Sequence, residues 1–290
     1  MIYDCFPFHD ELDLLEVRLN ELKDVVDRFV LVESDITFQH SPKPLYFEEN
    51  KHRFEEFLDR IEHVIVRDAP ITSFFDTDIF QRNQIMRGLE GCNDDDIIFI
   101  SDADEIPRAE AVTRYMELPD RPFMSLQLSL HYYYFNCWAG TQSVAKVIPY
   151  GMVKNFDSIQ AIRGDIWKHG EEWETPKTPV LLDAGWHFTY LGDESRLIHK
   201  LKSFAHAQFN TPEFLDPERI RKEINRGEDV IMDGPPFTWK PIEHDMPQYV
   251  LDNQSRFAHL IRTDPFPASS WVSEDTATVS CTSTKIKSVT

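Results

Sequence analysis

Short compact apolar runs alternate along the first half of this chain with stretches whose apolar residues recur every three or four positions. Ile2–Phe6 reads as a strand. From Asp10 to Leu22, Leu12, Leu15, Leu19 and Leu22 return at helical spacing, and Phe29–Glu33 is again a compact strand pattern. The sequence then predicts a charged helix over Glu48–Leu58, a strand over Val64–Arg67, a helix over Asp78–Leu89 and a strand over Ile97–Ser101. Strands alternating with helices of this length imply an α/β fold with a mostly parallel central sheet, covered by helices on both faces. Ligands in such sheets sit beyond the carboxyl ends of the strands. Those ends read Glu33, Asp68 and the run Asp102–Glu105.

The second half is less regular. Met124, Leu126, Leu128 and Leu130 alternate with Ser125, Gln127 and Ser129, which makes Phe123–Leu130 a strand with one wetter face. It runs into an aromatic cluster of Tyr132, Tyr133, Tyr134, Phe135 and Trp138. Asp216-Pro217 marks a helix start, closed by Gly227, and a last amphipathic helix is expected over Gln248–Ile261. Of the 27 residues 264–290, 11 are Ser or Thr with no hydrophobic period, so that tail is expected to be disordered. No internal repeat occurs, and the ten glycines form no phosphate-cradling loop.

Charge changes this picture. With 50 acidic against 30 basic residues the net charge is −20. A duplex or an anionic membrane surface is bound through a basic face, so neither nucleic acid nor membrane is an expected partner. An anionic substrate would instead need local neutralisation, for which a metal ion is the direct solution. The cysteines Cys5, Cys92, Cys137 and Cys281 lack metal-ligand spacing and fit a reducing compartment. The start is acidic and no apolar run reaches the length of a membrane span. The expectation is a soluble, cytoplasmic chain.

The sharpest chemical feature is Ile97-Ile98-Phe99-Ile100-Ser101-Asp102-Ala103-Asp104-Glu105, a buried-type strand ending in three carboxylates within four residues. A solvated acidic turn is the plain reading. In a second, one carboxylate binds a divalent ion while the other holds a water or sugar hydroxyl, and the ion clamps a nucleotide diphosphate. In a third, Asp102 is the nucleophile of a haloacid-dehalogenase-type magnesium phosphatase, although such a strand normally opens the chain and needs a late acidic pair. His187, in Asp183-Ala184-Gly185-Trp186-His187-Phe188-Thr189-Tyr190, is either a structural histidine or a further ligand. Mixed carboxylate and imidazole ligands suit Mn²⁺, with Mg²⁺ as the alternative.

Several separated motifs together resemble glycosyltransferase family 17, the bisecting N-acetylglucosaminyltransferase family. They are IYDCFPFHDELDLLEVRLNEL from Ile2, then FVLVES, PKPLYF, DADEIPR, AGWHFTY and YVLDNQSRF. The resemblance covers residues 1–263. It implies one GT-A-type catalytic domain, with a nucleotide-sugar-binding half at 1–121, a smaller acceptor-side half at 122–263 and the tail at 264–290. It also implies a UDP-N-acetylglucosamine donor, a glycan acceptor, inversion at the anomeric carbon, and Asp102 and Asp104 as the DxD pair. Animal members carry an N-terminal membrane anchor, whereas this sequence begins at the catalytic motifs. The acceptor therefore stays open between the bisected N-glycan and another glycan or a lipid-linked sugar.

Roles follow from the task of expelling a diphosphate while a hydroxyl attacks from the opposite face. Asp104 and His187 are assigned to the metal, and Asp102 to the metal or the donor ribose. Glu105 either holds the sugar or orients the turn. Arg82 could reach the donor diphosphate, and Glu33 and Asp68 the uridine. Glu194 is the first choice of general base, with Glu172 and Asp165 as runners-up. Lys200 and Lys202 could offset phosphate charge, and the Tyr132–Trp138 aromatics offer an acceptor platform or core packing. A glycan-binding protein without turnover is the non-enzyme alternative.

Overall fold

The computed structural model describes residues 1–164 and 178–267, together with the backbone of 167–169 and 172–174. Its strands are β1 (Ile2–Phe8), β2 (Arg28–Ser34), β3 (Ile61–Val66), β4 (Ile97–Ile100), β5 (Glu105–Pro107), β6 (Met124–Tyr132), β7 (Cys137–Pro149), β8 (Trp167–His169), β9 (Glu172–Glu174), β10 (Val180–Thr189) and β11 (Thr238–Trp239). Its α-helices are α1 (Leu12–Leu22), α2 (Tyr46–Asn50), α3 (Phe74–Asn83), α4 (Ala109–Met116), α5 (Tyr150–Val153), α6 (Ile159–Arg163), α7 (Glu194–Ser203), α8 (Pro217–Arg226) and α9 (Gln248–Asp252).

One sheet runs β3-β2-β1-β4-β7-β6-β10-β5, with β11 on β7 and a separate β8-β9 pair. The expected α/β architecture is present. Strands β3, β2, β1 and β4 are all parallel. Beyond them β7 runs antiparallel to β4 and β6, and β5 antiparallel to β10, so the sheet is mixed rather than mostly parallel. The cause is local. β6 and β7 are joined across only four residues, too few for a parallel crossover. The 13-residue β7 then reaches back to β4 and joins both halves of the chain into one sheet.

Period-2 alternation in the parallel strands feeds two cores. Phe6, Phe8, Phe29, Leu31, Ile97 and Phe99 face α1 and α2, while Cys5, Val30, Val32, Ile98 and Ile100 face the other side. Asp4 and Glu33 therefore fall on the α1–α2 face, and both are fully buried. A third core packs Leu14 and Val17 of α1 against Trp186, Phe188 and the C-terminal residues Val250 and Phe257.

Three expected helices are shorter or differently wound. The 48–58 segment is α2 followed by a 3-10 stretch, Lys51–Arg60, broken at Phe54 (φ −122°). The 78–89 segment starts earlier, at a capping box between Ser73 and Asp76, and tightens to 3-10 from Gln84 to Leu89. The last helix stops at Asn253 (φ −124°) and resumes only as Ala258–Leu260. α8 has the expected Asp216 cap, and Gly227 closes it at φ 66°. No helix among the described residues is long and apolar enough to cross a membrane.

Candidate active site

Chain order reverses at β1, which lies between β2 and β4. The crevice at the carboxyl ends of β1 and β4 is where such sheets place ligands. Here β1 delivers His9, Asp10 and Glu11, and β4 delivers the turn Ser101–Asp104. Across from them β10 and α7 supply Tyr190 and Lys200, and these side chains line one cleft with Asp104.

The turn is held from beneath by Arg18 of α1, which the sequence reading did not single out. Arg18 and Asp4 are both fully buried, and Nε and Nη2 of Arg18 donate to the two Asp4 oxygens at 2.6 Å each. Nη1 donates to the carbonyls of Asp102 (2.8 Å) and Glu105 (3.0 Å), and Nη2 to Ser101 Oγ (2.5 Å). All five guanidinium N–H groups are thereby used, which a buried cation requires.

The three carboxylates above Arg18 have separate fates. Glu105 is buried and is gripped by Arg163 of α6, through Nη1–Oε2 at 2.8 Å and Nη2–Oε1 at 2.6 Å. It also accepts from the backbone N of Asp102 (2.9 Å), so it orients the turn. Asp102 accepts from Arg163 Nη2 (2.8 Å) and, on its other oxygen, from Arg82. Burial alone would raise the Asp102 carboxyl, but Arg163 and Arg82 outweigh it and hold it well below the usual carboxylate range. Arg82 is bound to Asp78 as well (3.1 Å), so both its terminal nitrogens are engaged by carboxylates. Both oxygens of Asp102 being engaged is the opposite of what a phosphatase nucleophile needs.

Asp104 is the carboxylate that faces the cleft. Its Oδ2 accepts from Lys200 Nζ at 2.9 Å, and its Oδ1 lies 3.6 Å from His187 Nε2. Burial opposes ionisation here too, yet Lys200 and His187 keep the Asp104 carboxyl low. His187 is oriented by Gln142, whose Oε1 lies 3.0 Å from His187 Nδ1. That contact leaves Nε2 directed at Asp104. Register explains the meeting: Glu105 of β5 pairs with His187 of β10, and Phe188 N donates to the Asp104 carbonyl at 2.8 Å. The approach depends on Gly185, where a Cβ would lie 2.2 Å from the Ile106 carbonyl oxygen. The oxygen–nitrogen pair of Asp104 and His187 fits one divalent ion of mixed-ligand preference. Asp102, turned to its two arginines, does not join it.

The other expected residues lie elsewhere. Glu33 is corrected: it is completely buried, accepts from Phe47 N (3.0 Å), and meets His63 (3.1 Å) and Lys43 (3.6 Å). The reason is that Leu45–Phe47 folds over this strand end and closes it to a uridine. Asp68 is exposed and paired with Arg87 at 2.7 Å. Glu194 opens α7, but its carboxylate is bound by Arg221 of α8 (3.0 Å to Nε) and does not line the cleft. Lys202 is exposed. Asp165 and the side chain of Glu172 lie outside the described residues, as does the tail from 268 onward. In the aromatic run Tyr133 and Phe135 are fully buried core, whereas Tyr132 stacks on Phe237 at 4.3 Å.

Arg163, Arg18, His9, Asp10 and Glu11 are the residues that sequence reasoning missed. For the last three a signal existed: Phe8-His9-Asp10-Glu11 ends the first strand of a doubly wound pattern, where the switch point falls.

The family model for glycosyltransferase family 17 matches residues 1–264. The human beta-1,4-mannosyl-glycoprotein 4-beta-N-acetylglucosaminyltransferase is 28% identical over 90% of this chain and 55% of its own length. The Rattus norvegicus protein of that name is 26% identical over 90% and 54%. The chain thus spans about half the length of these curated relatives. HddC from Yersinia pseudotuberculosis is a structural neighbour at TM-score 0.34 and 10% identity, covering 55% of this chain and 80% of its own, too distant to argue from. With the match running from the first strand through the last helix, the chain belongs to glycosyltransferase family 17.

Proposed function

We propose that this protein is a metal-dependent, inverting glycosyltransferase that moves N-acetylglucosamine from UDP-N-acetylglucosamine to a sugar hydroxyl of a glycan. Family membership and the activity for which the relatives are named support the reaction class and the sugar. The single observation that carries the mechanism is His187 Nε2 standing 3.6 Å from Oδ1 of Asp104, the carboxylate that lines the cleft at the ends of β1 and β4. Those two residues would hold Mn²⁺ or Mg²⁺, and the ion would supply Lewis-acid stabilisation of the departing diphosphate.

The remaining work falls to the chain's own groups. Lys200 holds its proton more tightly than a free lysine because the attraction of Asp104 and Glu11 outweighs its burial. It presents a fixed positive charge to the leaving group. Arg163 and Arg82 keep Asp102 ionised and the turn in one geometry, so the donor meets an organised surface. Asp102, about one-third exposed, would receive a ribose hydroxyl. The general base is assigned to Asp165 or Glu172, since Arg221 occupies the carboxylate of Glu194.

The test is UDP release and thermal stabilisation by UDP-N-acetylglucosamine, with and without Mn²⁺. Asp104→Asn should abolish metal-dependent donor binding. Asp165→Asn or Glu172→Gln should leave donor binding intact and remove transfer. If Mn²⁺ with UDP-N-acetylglucosamine neither stabilises the protein nor yields UDP with any glycan, the proposal fails.

A further inference from the structure

The same cleft holds a second constellation, built on the other strand end. His9 and Asp10 leave β1, and His199 comes from α7, so 190 residues of sequence separate the outer members. One ligand atom from each of the three lies within 4.8 Å of the other two. Asp10 Oδ2 is 3.1 Å from His199 Nε2, and the two imidazole centroids are 5.9 Å apart. The loop is rigid: Glu11 Oε2 accepts from the backbone N of both His9 and Asp10 at 3.0 Å, and Lys43 Nζ donates to the His9 carbonyl at 3.1 Å.

One atom here is unexplained by the protein alone. Nε2 of His9 is shut off from solvent and has no hydrogen-bond partner. Buried polar atoms are normally satisfied, and an orphan at a cleft points to a missing partner. A neutral imidazole carries a free lone pair on one of its two ring nitrogens. Two imidazoles and a carboxylate form the mixed N/O donor set of three-ligand zinc sites that keep a fourth position open.

We propose that His9, Asp10 and His199 bind one divalent transition-metal ion of the zinc class, at a site separate from the Asp104–His187 pair although it opens into the same cleft. Arg196 lies against Asp10, with Nη1–Oδ2 at 2.8 Å and Nη2–Oδ1 at 3.1 Å. The ion therefore shares Asp10 with that guanidinium and takes its remaining coordination from water or from a donor phosphate oxygen. Placed beside Lys200 and Asp104, it adds positive charge on the β1 side of the bound diphosphate.

The experiment titrates Co²⁺, and separately Zn²⁺, into the full chain carrying Asp104→Asn and His187→Gln, so that the first site is silent. Calorimetry gives stoichiometry, and the visible Co²⁺ spectrum reports nitrogen ligation. One equivalent is expected in that background. His9→Gln or His199→Gln should each weaken it by more than about 100-fold, since even residues behind a ligand are worth 10 to 100-fold. His199 is exposed, so its variant keeps the test decisive if His9→Gln folds poorly. No bound ion in the Asp104→Asn/His187→Gln background, or unchanged affinity in His199→Gln, overturns the proposal. Neither result bears on donor binding by the wild-type chain, which is read with UDP-N-acetylglucosamine.

Discussion

Arg18→Met should be among the most damaging single changes in this protein, and its cost can be worked from the contacts. Arg18 and Asp4 have 0% side-chain exposure. Removing one partner of such a pair strands a buried carboxylate, a loss of about 3–5 kcal/mol. Ser101 Oγ and the carbonyls of Asp102 and Glu105 lose a donor as well, which places the expectation at the upper end, about 4–5 kcal/mol. For a chain of this size that corresponds to a fall in Tm of roughly 7–8 °C. Urea titration followed by circular dichroism gives the free energy, and donor binding is read in parallel by thermal shift. The double variant Asp4→Leu/Arg18→Met separates two roles. Deleting both charges should recover most of the stability. Donor binding should stay lost, because the turn carrying Asp102 and Asp104 still lacks its donors. A loss below about 1 kcal/mol in Arg18→Met, or recovery of donor binding in the double variant, would refute the reasoning.

Other positions test the same arrangement. Arg163→Lys keeps a charge but cannot make the paired contacts to Glu105 together with the one to Asp102; it should lower stability by about 2–3 kcal/mol and weaken donor binding, measured by calorimetry. Gln142→Leu releases His187 Nδ1 and should weaken Mn²⁺ binding by about 10 to 100-fold in a paramagnetic resonance titration while leaving urea stability within about 1 kcal/mol. His131, fully buried, is pushed down by burial to about 3. Below pH 6.5 the unfolded chain takes up this proton and the folded chain does not, so stability falls with falling pH, by up to about 1.4 kcal/mol per unit. His131→Phe should remove that slope, and the unfolding free energies from urea titrations at pH 7 and pH 5 should then lie closer together by about 2 kcal/mol. An unchanged difference would show that His131 does not carry the acid sensitivity.

What the sequence made legible was whatever short-range pattern decides. The strands at β1, β2 and β4 follow from compact apolar runs, and α1 from its leucine spacing. The DxD turn is marked by an abrupt change from isoleucine to aspartate. His187 was reachable because Gly185-Trp186-His187 closes an apolar run. The mixed half of the sheet was not legible, because β7 is a long strand in which exposed, half-buried and buried positions blur the period-2 signal. Glu33 illustrates the converse failure. A carboxylate at a strand end looks like a ligand, and only the chain folding over it through Phe47 makes it structural. Arg18 and Arg163 meet the turn from 84 and 58 residues away, and no local pattern encodes such partners.

The three-residue strand β5 has an effect out of proportion to its length. Because Glu105 stands opposite His187 and Gly185 opposite Pro107, the two residues assigned to the metal are set by one strand register instead of by two loops. The spacing of Asp104 and His187 is thus a property of the sheet, while Gln142 and Arg163, from the chain between them, orient His187 and Glu105. Under the proposed function, loops that leave these strands, Gln142 and Arg163 in place can change in length, and with them the acceptor that is presented, without moving the pair assigned to the metal.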